Sequence, residues 1–161
     1  MTFQAKILLL DDQQDFNNLF QMKAQERHWE VSTFTQPEDA LLAYRDEPFD
    51  FVLLDLKLEN GSCDAVLTEM LKIRPQTPVY IITAFPSLET VRNSLELGAK
   101  DYIAKSLDID DFLSRLDGIV AELEVNCQAN LPFQKEEFLQ QVLVNIIEEN
   151  DYQTVIFNIL N

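Results

Sequence analysis

Asp11 and Asp12 close one apolar run and Asp55 closes another, so three carboxylates stand where two strands should end. The runs, Lys6-Ile7-Leu8-Leu9-Leu10 and Phe51-Val52-Leu53-Leu54, read as short buried strands. In a parallel α/β sheet the C-terminal strand ends open onto the ligand crevice, which would bring all three carboxylates to one place. Like charges at close range repel and raise one another's pKa unless a cation sits among them. Every side-chain donor is an oxygen, so a hard divalent cation, Mg²⁺, is the expected occupant. Val79-Tyr80-Ile81-Ile82 is another β-rich run and ends in Thr83-Ala84, and Asp101-Tyr102-Ile103-Ala104 ends in Lys105. Three carboxylates, a hydroxyl and a lysine at strand ends suit phosphoryl transfer to a carboxylate. The metal and Lys105 would neutralise the transferring group, Thr83 would hydrogen-bond a phosphoryl oxygen, and Asp55 would be the nucleophile.

The elements that position these residues alternate between strand and helix periods, the signal of a parallel sheet covered on both faces. Residues 15–27 form a helical segment containing Phe16, Leu19, Phe20 and Met22, and residues 29–34 alternate as a strand expected at a sheet edge. Pro37 opens the next helix, with Ala40, Leu41 and Tyr44 inward. Residues 64–74 follow the Asp55 strand as a helix bearing Val66, Leu67, Met70 and Leu71, closed by Pro75 and Pro78. Pro86 and Ser87 open a fourth helix, expected to face Leu88, Val91 and Leu95 inward and to stop at Gly98. A fifth spans about residues 108–124 with Phe112, Leu116, Ile119, Val120 and Leu123 as its stripe, and Asp108, Asp110 and Asp111 suit the dipole at its start. Five strand–helix pairs predict a doubly wound, flavodoxin-like (βα)5 domain on a five-stranded parallel sheet, over residues 1–125.

Residues 126–132 read as a linker, and 133–161 as a helical extension. Within it, residues 134–149 place Phe138, Leu139, Val142, Leu143, Ile146 and Ile147 on one stripe too apolar to face water. That extension could pack on its own domain, pair with a second copy as a homodimer, or begin an effector domain cut short. Asn150 and Thr154, followed by an apolar run to Leu160, resemble the first part of a Fis-type helix-turn-helix without the helix that would enter the groove.

The chain resembles the receiver domain of two-component response regulators. The resemblance rests on Asp11-Asp12, Asp55, Thr83-Ala84 and Lys105, on Gly61 six residues after Asp55, and on Gly98-Ala99-Lys100-Asp101-Tyr102 before the last strand. It covers roughly residues 5–125. It implies a phosphoryl group taken from a histidine kinase or a histidine phosphotransfer protein onto Asp55. Asp12, Asp55 and the Lys57 backbone carbonyl would hold Mg²⁺, with Asp11 acting through water. Tyr102 occupies the aromatic switch position, which moves inward when the Thr83 hydroxyl engages the phosphoryl group. Lys57 and Phe85 occupy positions that tune phosphoryl lifetime in the family. The output would be control of a partner, a dimer or a transcription regulator; the domain would assist only its own phosphorylation and dephosphorylation.

Two positions depart from the family pattern. Glu59 replaces the usual proline four residues after the acceptor, and Ser106 replaces the proline after the lysine, which puts the cis bond there in doubt. These departures favour an alternative reading, a phosphorylation-independent adaptor on the same fold. The complete acidic site argues against it. A transcription regulator with a truncated effector is another alternative. A hydrolase of small phosphate esters ranks last, because Lys57 stands where a second acid or base would be needed.

Composition narrows the partners. The 161 residues carry 28 acidic against 12 basic side chains, a net charge of −16, which opposes nucleic-acid binding by the chain as given. Residues 126–161 alone carry a net −4. Apolar content of 47% excludes general disorder. No apolar run reaches the ~18–20 residues that a membrane span needs. Cys63 and Cys127 lie far apart and outside any metal-ligand spacing, reading as free thiols in a reducing, cytoplasmic compartment. His28 has no partner pattern and is assigned no chemistry.

Overall fold

The computed structural model of the chain describes residues 3–105 and 108–128. Strands β1 (Lys6–Leu10), β2 (Glu30–Phe34), β3 (Phe51–Asp55), β4 (Val79–Thr83) and β5 (Asp101–Ala104) form one parallel sheet in the order β2-β1-β3-β4-β5. Helices α1 (Gln14–Glu26), α2 (Pro37–Asp46), α3 (Cys63–Ile73) and α4 (Leu88–Leu97) connect them. A further helix, α5, begins at residue 109. The chain divides into two units at Val120 and Ala121, and of the second only the helical residues 121–128 are described. The expected helical extension over 133–161, most of the linker and Ser106 lie outside the described residues.

Apolar content sorts the strands. β3 and β4 are buried along their whole length, as is β1 after Lys6, and such continuous Val/Ile/Leu runs belong in a sheet covered on both faces. β2 is half-exposed and sits at the edge, where its alternating sequence placed it. Side-chain period sends Leu8, Leu10, Val52, Leu54, Val79 and Ile81 into one core with Ala40 and Tyr44 of α2 and Val66, Leu67 and Met70 of α3. On the opposite face Phe51 packs edge-on against Tyr80 at 5.8 Å. Phe16 and Phe20 of α1 meet Phe112 of α5 at 5.7 and 6.0 Å.

Helix phases differ from expectation in α4 and α5. In α4, Leu88 is 93% exposed, Leu95 is 40% exposed and Val91 is half-buried, while Ser94 is the residue that faces in. Ser94 tolerates burial because its hydroxyl donates to the Thr90 carbonyl at 3.1 Å, and the phase this sets turns Leu95 outward. In α5, Leu113 is fully buried beside Phe112 and Leu116, while Ile119, Val120 and Leu123 are half-buried. In α1, Leu19 and Met22 are exposed, and the polar Asn17 is buried in the same helix.

Gly98 ends α4 in the left-handed region (φ +114°), where a Cβ would also stand 2.8 Å from a methyl of Leu71. Only glycine satisfies both conditions without strain.

Candidate phosphoacceptor and metal site

The strand order reverses between β1 and β3, so their carboxyl ends border the crevice of the sheet. Register places Leu10 opposite Leu54 and Asp55 opposite Ile82, which sets the β1, β3 and β4 ends level. Asp11, Asp12 and Asp55 meet there, each offering one carboxylate oxygen within 4.8 Å of the others. Asp11 is fully buried, Asp55 is 5% exposed, and Asp12 is half-exposed at the mouth. Thr83, buried at the end of β4, and Lys105, just past β5, complete the group, and the Lys105 amide donates to the Thr83 carbonyl at 2.7 Å. The expected residues therefore converge at one sheet edge.

Backbone amides hold each carboxylate in place. The Gln13 amide donates to Oδ1 of Asp11 at 2.9 Å, the Lys57 amide to Oδ1 of Asp55 at 3.2 Å, and the Glu59 amide to Oδ2 of Asp12 at 3.1 Å. The last contact needs an N–H that proline lacks, so Glu59 gives this loop a tie to the acidic site. The Lys105 ammonium donates to Oδ2 of Asp55 at 3.2 Å and pairs with Oδ2 of Asp11, while lying 4.6 Å from the centre of the Phe16 ring.

Electrostatics follow from that packing. Burial pushes the Asp55 carboxyl up to about 6 and Asp11 adds to the rise, against the pull of Lys105 and the Lys57 amide. One ammonium faces three carboxylates, which leaves the group an uncompensated anionic site. The donors are all oxygen, with no thiolate or imidazole among them, and oxygens on opposite sides of an Mg²⁺ octahedron stand about 4 Å apart. The donor set fits a hard divalent cation. Cys63, at the start of α3, takes no part. Burial and the nearby charges of Asp64 and Asp55 push its thiol up to about 12, leaving it un-ionised and inert.

Tyr102, on the edge strand β5, is 38% exposed. Thr83 Oγ1 accepts the Phe85 amide at 3.2 Å, and the Phe85 ring is 78% exposed at the mouth. No sequence signal pointed to Asn17, whose Nδ2 donates to the carbonyls of Asp11 at 2.8 Å and Phe34 at 3.4 Å. It ties the ends of β1 and β2 beneath the site. Nor did the pairing of Phe16 with Lys105 show, since an aromatic at helical spacing reads as core.

Comparison with known proteins agrees with this geometry. The family model described as the response regulator receiver domain matches residues 7–117. The transcriptional regulatory protein ZraR of Salmonella typhimurium is 35% identical over 117 residues, which cover 71% of this chain and 26% of that protein. The response regulator protein PilR of Pseudomonas aeruginosa is 33% identical over 118 residues, covering 73% and 26%. The chain thus spans about a quarter of the length of these relatives. Among solved structures, a CheY-like response regulator receiver domain protein from Methanospirillum hungatei superposes with a TM-score of 0.69 at 26% identity, covering 77% of this chain and 99% of that one.

Proposed function

The chain belongs to the response regulator receiver family, the signalling domains of two-component systems, and from that premise we propose that Asp55 is its phosphoacceptor. The observation that carries this reading is the convergence of Asp11, Asp12 and Asp55 around one point, with the Lys105 ammonium on the Asp55 carboxylate.

A carboxylate oxygen of Asp55 attacks the phosphorus of a phosphohistidine on a kinase or phosphotransfer protein. The P–N bond breaks, the imidazole leaves, and an acyl phosphate forms on Asp55. Asp12, Asp55 and the Lys57 carbonyl would hold Mg²⁺, with Asp11 acting through water, and the bound ion would neutralise charge on the transferring oxygens. Lys105 compensates the remaining charge, and the Thr83 hydroxyl donates to a phosphoryl oxygen while still able to accept the Phe85 amide. Attack by water on phosphorus later releases phosphate and restores the carboxylate.

The half-exposed Tyr102 ring is the outward position from which the switch would move as Thr83 engages the phosphoryl group. Phosphorylation then shifts a two-state equilibrium that reshapes the α4–β5 surface. The name of ZraR, a transcriptional regulatory protein, supports an output in transcription, exercised through parts of a longer protein.

Binding of beryllofluoride with Mg²⁺, a stable stand-in for the phosphoryl group, tests the site. Fluorine NMR should show a bound, Mg²⁺-dependent species that Asp55→Asn abolishes, with a change in Tyr102 resonances. Bound fluoride that persists in Asp55→Asn would contradict the assignment, and no binding at all would favour a phosphorylation-independent adaptor.

A further inference from the structure

Lys57 is a cation beside an anionic site, yet its ammonium makes no ion pair among the described residues. It lies instead 5.7 Å from the centre of the Phe85 ring, on the loop after β4. Both side chains are exposed, and the open cavity of about 480 Å³ that Lys57 lines with Thr90 and Asn93 leaves its stem room to swing. Its backbone is fixed close to the acceptor, since its amide holds Oδ1 of Asp55, whereas the Phe85 amide is fixed on Thr83. A four-carbon stem anchored two residues from Asp55 can carry its ammonium toward the half-exposed carboxylate of Asp12. Coulomb attraction to three carboxylates favours that placement, and the ring opposes it.

We propose that Phe85 is a positioning residue that holds the Lys57 ammonium away from the carboxylates and so keeps the site open to a divalent cation. The inference rests on the metal site proposed above and adds to it a control on metal occupancy. The aromatic face takes up the charge without neutralising the acidic cluster. Loss of the ring releases an internal cation that competes with Mg²⁺.

Titration calorimetry with MgCl₂ on the full chain tests this. Phe85→Ala should weaken Mg²⁺ binding about two- to five-fold, the bias an exposed cation–π contact exerts on the ammonium. Phe85→Tyr, which keeps a ring face, should bind as the parent does. Lys57→Met should bind Mg²⁺ more tightly than the parent, and in that background Phe85→Ala should have no further effect. Unchanged affinity in Phe85→Ala, or a loss that persists beside Lys57→Met, would overturn the role of Phe85 while leaving the metal site intact. A parent chain that binds no Mg²⁺, or binds it equally well as Asp55→Asn, would overturn the metal site and this inference with it.

Discussion

The ammonium of Lys105 lies 3.2 Å from Oδ2 of Asp55, a residue fifty positions earlier in the chain. Both side chains are 8% exposed, so this is a buried ion pair between the β5 and β3 ends. Breaking such a pair from one side leaves an uncompensated buried charge, and here Lys105 also serves the fully buried Asp11. Lys105→Ala should therefore destabilise the metal-free chain by about 1–3 kcal/mol at pH 7.5. Urea unfolding should show the loss shrinking at pH 5, where Asp55 is protonated, and shrinking at pH 7.5 when Mg²⁺ is added.

Asp55 itself opposes folding once ionised. Its carboxyl is raised from 3.8 to about 6, first by burial, so the folded chain binds a proton that the unfolded chain has released. Its contribution is most favourable below pH 4 and is lost as pH rises through 6. Asp55→Asn should stabilise the metal-free chain by about 1–2 kcal/mol at pH 7.5, after allowance for solvent screening, and should remove that part of the pH dependence. Thermal unfolding across pH 4–8, with EDTA present, reads both. The same linkage makes protons compete with metal, so Mg²⁺ affinity should fall as pH drops through 6.

His28, at the turn between α1 and β2, adopts φ +59°, the left-handed region that favours glycine. Its side chain is exposed. His28→Gly should raise stability by about 0.5–1 kcal/mol in urea unfolding, with Mg²⁺ affinity unchanged, because the turn lies away from the carboxylates.

What the sequence disclosed, and what it hid, has a physical division. Asp11, Asp12, Asp55, Thr83 and Lys105 were legible because each follows an apolar strand, and strand ends share one edge in a parallel sheet. The phase of α4 was not, since a buried serine satisfied by its own helix carbonyl leaves no apolar period to read. Asn17 was invisible for a related reason: its partners are the backbone carbonyls of Asp11 and Phe34, which every sequence contains. The Lys57–Phe85 contact joins two loops, where no periodicity fixes which side chains meet. Glu59 reads as a departure from its family until the fold shows its amide donating to Asp12.

Intact mass after incubation with acetyl phosphate tests the central claim, that Asp55 is a metal-dependent phosphoacceptor. The parent chain should gain ~80 Da, one phosphoryl group, only with Mg²⁺ present, and Asp55→Asn should gain nothing. A gain that survives Asp55→Asn, or that proceeds equally in EDTA, would contradict the account.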